Sequence, residues 1–273
     1  MLIKNTLVLF LTFFTIKNVC AQNADETVFL QKMKLAKEEK KAKTAIIIAK
    51  SFIGKPYKAG TLEANSKEQL VCNLRDFDCS TFVENVIAMS LISHSSSQTF
   101  EGYKKQLTEL RYRNSTVQGY ASRLHYFKEW IIQAERNNIL QDITSKIGGM
   151  KQKKNLNFMT SNRELYPNLK DEATYLAIKE HQKQINEVDF YYIPKWKIEK
   201  IENQIQDGDI IAITSNVDGL DFNHEGFAIR KNGRVYLLHA SYEQKKVIIS
   251  TELLVDYLNR INKHSGISVL RLL

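Results

Sequence analysis

The sequence predicts an α+β protein in which helices come first and antiparallel strands last. Three observations predict it. Residues 24–93 are dominated by helix-favouring runs, whereas residues 209–272 break into short β-type runs separated by turn residues. Lys231-Asn232-Gly233-Arg234 is a two-residue hairpin sequence, because Asn-Gly accepts the positive φ angles that such a turn needs. Asp78-Cys79 opens an apolar run that places a thiol at the foot of a central helix.

Taken in order, the chain begins with Lys4, an apolar run from Leu7 to Phe14, and Val19-Cys20-Ala21. This pattern is expected to be a secretory signal peptide over residues 1–21, cleaved after Ala21, and too short to span a bilayer. Lipidation at Cys20 is the rival, although Lys17, Asn18 and Val19 suit that processing poorly. Removing residues 1–21 takes out two lysines and no acid, so the formal charge falls from +9 to +7. Such a surplus suits an anionic polymer or surface, or simply a solvated basic face. No basic stripe interleaved with aromatics points to nucleic acid.

Residues 22–273 are expected to form one domain. Ala24 to Lys43, rich in Glu, Lys, Ala and Leu, reads as a surface helix, and Thr44 to Phe52 as a buried one. Gly54 ends the latter and Pro56 prevents its resumption. Residues 61–77 form a polar connection carrying Cys72, and Phe82, Val83, Val86, Ile87, Met89 and Leu91 make the next helix apolar on most sides. Helices are expected at Tyr103 to Arg113 and Phe127 to Gln133, with Gly148-Gly149 and Lys151 to Lys154 as exposed loops. Pro167 and Pro194 interrupt further packing, so residues 93–205 read as a mostly helical insertion. Strands follow at Asp209 to Thr214, His224 to Arg230, Arg234 to Ala240, Val247 to Ser250 and Ile267 to Leu272, with a helix around Glu252 to Asn259.

A cysteine nucleophile needs a base, an orienting group and donors for an oxyanion. Asp78 as N-cap puts Cys79 at the first helical position, where free amides and the helix dipole favour a thiolate. Thr81-x-x-Glu84 is a capping-box pattern that would start the helix two residues later. Six residues separate Cys72 from Cys79, so the pair could form a disulfide but does not have zinc-site spacing. If the Asn-Gly turn pairs Lys231 with Arg234, His239 falls opposite Gly226 and His224 opposite Ser241. The two histidines are then diagonal neighbours on one face, and Gly226 leaves room for an imidazole. A one-residue slip would separate them. In this reading His224 takes the thiol proton and His239 orients it.

Pro56-Tyr57-x-x-Gly60, Asp78-Cys79-Ser80-x-Phe82-Val83, His224-x-Gly226-Phe227-Ala228-Ile229 and Leu238-His239-Ala240 together resemble the NlpC/P60 cysteine peptidases. The resemblance implies a papain-like fold, with the nucleophile at the N-terminus of a central helix packed on an antiparallel sheet. It also implies catalytic roles for Cys79, His224 and His239 and a site wall from Tyr57. The stretches Gln69 to Arg75, Ser122 to Tyr126, Phe158-Met159, Leu165 to Pro167 and Gly219 to Asp221 resemble the DUF1460 branch. That branch is similar to N-acetylmuramoyl-L-alanine amidases, which implies peptidoglycan fragments as partners and no cofactor or metal. Two features depart from the family pattern. The 145 positions from Cys79 to His224 are long, and Glu225 stands where a small apolar residue commonly follows the base. By strand alternation Glu225 points away from the histidine face and is expected to be tolerated.

Arg123, His125 and Tyr126, with Phe158, Met159 and Tyr166, are the expected substrate pocket. Three other readings stay open: an endopeptidase cutting after D-Glu, an acyltransferase, and a catalytically silent cell-wall-binding protein.

Overall fold

Helix α1 (residues 24–33) buries Phe29 and Met33 and is tied down by Asp25, whose carboxylate accepts from Leu74 N–H at 3.0 Å and pairs with Arg75 at 3.1 Å. The computed structural model describes residues 24–36, 40–63, 65 and 67–273, so the expected signal peptide lies outside the described residues. The expected long helix over Ala24 to Lys43 ends at residue 33, and α2 (Lys41–Lys50) takes up the apolar run. Gly54, at φ +88°, turns the chain out of it.

Helix α3 (Cys79–Ser93) is buried along most of its length and packs between α2, α4 (Phe100–Arg111) and the sheet. Its apolar circumference explains the central position. Its polar members are paired: Glu84 accepts from Arg111 Nε at 2.8 Å, and the Asn85 side chain meets the Tyr103 hydroxyl. Chain order continues with α5 (Phe127–Arg136), β1 (Leu140–Asp142), β2 (Met150–Lys151), α6 (Phe158–Ser161), α7 (Glu172–Asn186), β3 (Tyr191–Pro194) and α8 (Ile198–Ile201). Helix α7 was not foreseen. Asp171 caps it by accepting from Thr174 N–H at 2.8 Å, but its buried stripe runs Ile178, Gln182, Ile185, and the glutamine hides the apolar period.

The last third supplies β4 (Ile210–Ser215), β5 (Phe222–Lys231), β6 (Arg234–Ser241), β7 (Lys246–Ile249), α9 (Leu254–Arg260) and β8 (His264–Leu272). The sheet order is β2-β3-β8-β4-β5-β6-β7, antiparallel throughout, with β1 also pairing β8. Three of its strands come from the region expected to be a mostly helical insertion. That region is partly woven into the main sheet.

The β5–β6 turn places Asn232 at φ +53° and Gly233 at φ +80°, and Lys231 pairs with Arg234. The register expected from Asn-Gly therefore holds. One sheet face carries Phe227, Ile229, Leu238 and Ala240 against α3, and the other carries Ala228, Val235 and Leu237 against α9. A third core, around Tyr126, Leu156, Met159, Leu169, Ile178 and Ile185, holds the middle region together. Among the described residues no helix is long and apolar enough to cross a membrane.

Candidate active site

Asp78 resolves the two helix starts in favour of the earlier one. Its carboxylate accepts from Thr81 N–H at 2.8 Å, while Thr81 Oγ1 accepts from Asp78 N–H at 3.0 Å. Cys79 is thus the first helical residue. Phe82 N–H goes to Asp78 O, so the amides of Cys79 and Ser80 are left at the open helix end.

Residues 54–58 bring Tyr57 to the same place. Gly54 and Tyr57 donate to the carbonyls of Val247 and Lys245 at 2.9 Å, and Lys58 donates to Phe77 O at 2.8 Å. Tyr57 packs edge-on against Tyr242 with ring centroids 5.5 Å apart and lies within electrostatic reach of Cys79, Asp78 and Glu225.

The two histidines meet. His224 Nε2 lies 2.6 Å from His239 Nδ1, with the rings at 83° to each other. Gly226 provides the space: a Cβ there would lie 2.9 Å from His239 Cβ and 2.8 Å from Leu238 O. Both rings are buried, and Tyr257 packs against them at centroid distances of 6.1 and 5.4 Å, with His264 on its other side. Sequence reasoning missed these two, because only tertiary packing brings α9 and the start of β8 beneath the hairpin. Burial, then the neighbouring His239 and His264, hold His224 well below the usual imidazole range, and burial lowers His239 to about 4.

Cys79 is half-buried, and its sulfur lies within interaction reach of the backbone and side chain of Glu225. The backbone contact has a topological cause. Ala228 N–H donates to Asp209 O at 2.8 Å, so even-numbered β5 amides face β4 and odd-numbered ones face β6. The β5–β6 register ends at Phe227 and Leu238, while β6 continues to pair with β7 through Ser241. The strands part there, and Glu225 N–H is free to meet the sulfur. Among the described residues the groups that act on the thiol include Glu225 and Asp78, and no hydrogen bond links it to His224. Burial first, then the Glu225 and Asp78 carboxyls, push the thiol well above its ordinary range. Cys79 thus rests as a thiol and His224 as a neutral imidazole.

Cys72 and Cys79 are both free; Cys72 packs half-buried against the first core, where burial raises its thiol to about 11. Among the described residues no group of three or more His, Cys, Asp or Glu could hold a metal ion.

The expected substrate residues are placed differently from one another. Arg123 is buried, paired with Glu63 and 3.7 Å from Glu68, and lies over the Tyr120 ring at 5.0 Å. Its charge is already compensated. The His125 ring packs tilted against Tyr120 with centroids 4.3 Å apart and bonds Tyr120 O at 2.9 Å; burial and Arg123 keep it neutral. Tyr126 and Met159 belong to the third core, 3% and 4% exposed, and the Tyr126 hydroxyl is used by Met159 N–H and Gln182. Neither leaves surface for a ligand. Phe158 and Tyr166 are half-exposed and retain area that can meet one.

The profile described as N-acetylmuramoyl-L-alanine amidase-like matches residues 47–267. Comparison with the curated proteins returned no match. A structure titled as an N-acetylmuramoyl-L-alanine amidase from Bacteroides uniformis is 34% identical, covering 85% of this chain and 98% of its own, with TM-score 0.80. A Bacteroides fragilis structure provisionally labelled a xylanase is 37% identical over 82% of this chain and 99% of its own, with TM-score 0.77. A Legionella pneumophila protein of family DUF1460 is 20% identical over 93% of this chain and 96% of its own; its TM-score of 0.74 speaks for the fold.

Proposed function

The chain belongs to the N-acetylmuramoyl-L-alanine amidase-like family, and from that premise we propose that it is a thiol-dependent amidase of cell-wall muropeptides. One observation carries the mechanism: the Cys79 sulfur at the open end of α3 touches Glu225, the residue after His224, whose ring is braced by His239.

His224 has one ring nitrogen on His239, so Nδ1 is the one left to accept the thiol proton. That role requires the hydrogen on Nε2, donated to His239 Nδ1. Because the resting groups are neutral, proton transfer accompanies attack on the carbonyl rather than preceding it. The new S–C bond forms a tetrahedral intermediate whose oxyanion is received by the Cys79 and Ser80 amides. The imidazolium then protonates the leaving amine, and water resolves the thioester with His224 again as base. Family membership favours the bond between the muramoyl lactyl carbonyl and L-Ala. A thiol–imidazole pair suits acyl transfer, whereas glycosidic cleavage ordinarily calls for a carboxylate pair. The NlpC/P60 relationship, the papain-like fold and export to the periplasm or exterior belong to the same proposal.

Digestion of a defined muropeptide, followed by weighing of the products, tests it. Free sugar plus an intact stem peptide is the expected result. A shortened stem would make the enzyme an endopeptidase. Cys79→Ala and His224→Ala should each lower kcat/KM by roughly 10³-fold or more.

A further inference from the structure

Glu225 follows His224 in β5 and therefore faces the opposite side of the sheet, toward α3. The expectation that it is tolerated there overlooks what α3 presents. Its carboxyl is 4% exposed, accepts from Ser80 Oγ at 3.1 Å and reaches the Cys79 thiol. A buried carboxyl tied to the sulfur and to the next residue of the same helix turn is more than a substitute for a small apolar residue.

We propose that Glu225 is a positioning residue for the nucleophile: anchored by Ser80, its carboxylate accepts the Cys79 S–H and holds the sulfur as a thiol until His224 takes the proton. The inference rests on Cys79 being the nucleophile, but not on the substrate. Hydrogen-bonding and charge act in the same direction. An S–H donating to a carboxylate is favoured, and a thiolate beside that carboxylate is disfavoured. The groups that face Glu225 are Cys79 and Ser80 from α3, Asp78 from its cap, Tyr57 from residues 54–58 and Asp221 from the loop before β5; Ala212 is its β4 partner. Among these described groups none is a cation. Burial, with the Asp78 and Asp221 charges, outweighs the Cys79 and Ser80 contacts that favour the carboxylate and raises it to about 7. The restraint on the sulfur consequently strengthens as pH rises through neutrality. A protected resting thiol also resists alkylation and oxidation.

The test is the rate of alkylation by iodoacetamide from pH 6 to 9, read by peptide mass spectrometry so that Cys79 and Cys72 are scored separately. Glu225→Gln removes the charge and keeps the shape. Its Cys79 should react on the order of tenfold faster than wild type at pH 7.5, with Cys72 unchanged. Ser80→Ala, which loosens the anchor, should fall between the two. If Glu225→Gln does not fold, Glu225→Val is held to the same criterion. A gain below threefold, a slower reaction, or an equal gain at Cys72 overturns the proposal. None of these readings depends on muropeptide cleavage, so they remain separable from the amidase assignment.

Discussion

At the residue scale, His224 and Glu225 are consecutive yet belong to opposite faces: Glu225 turns toward Cys79 and Ser80, and His224 toward His239 and Tyr257. Burial lowers the imidazole, which is neutral at pH 7, and raises the carboxyl to about 7, where it is about half ionised. This has a consequence for stability. A carboxyl raised from 4.5 to about 7 binds more protons folded than unfolded across that interval, so folding weakens as pH rises through it. At about 1.4 kcal/mol per pKa unit, the loss approaches roughly 3 kcal/mol by pH 8. Chemical denaturation of Glu225→Gln should lack this decline. Parallel pH profiles for the two proteins would remove Glu225 as its source.

At the element scale, the hairpin is the device that brings His224 and His239 together. Asn232-Gly233 fixes the register as far as the Phe227–Leu238 pair, which leaves Gly226 beside His239, and the absence of a Cβ at Gly226 lets the rings meet. Gly226→Ala should therefore cost about 1–3 kcal/mol through overpacking. It should also lower kcat by more than its effect on KM, because His239 is displaced from His224. Steady-state kinetics beside denaturation separates the two effects, and an unchanged kcat would show that the brace is dispensable. The cap of α3 was legible as a choice between Asp78 and Thr81. The structure shows one reciprocal box built from both residues.

At the scale of the whole molecule, the middle of the chain is not a simple appendage. Strands β1 and β3 pair with β8, while α6 and α7 surround a separate apolar core. Ile178, 1% exposed in that core, tests how far the two parts act independently. Ile178→Ala should cost about 2–5 kcal/mol. Hydrogen exchange is expected to rise over residues 156–186 while Cys79 alkylation keeps its wild-type rate. A matching rise at Cys79 would mean that the middle region supports the start of α3 directly.

Local chemistry in the sequence determined the helix end at Cys79, the hairpin register and the same-face histidines, because capping and strand alternation are set within a few residues. It also supplied the α+β class, through the change from helical to strand patterning. Tertiary structure alone decided the rest. It set Glu225 against Cys79 by parting β6 from β5, placed Tyr257 and His264 beneath the histidines, and recruited β1–β3 into the sheet. It also turned Tyr126 and Met159 into core and gave Arg123 its own carboxylates. These contacts join residues tens of positions apart, and no local period or spacing encodes which of two polar partners burial will bring together.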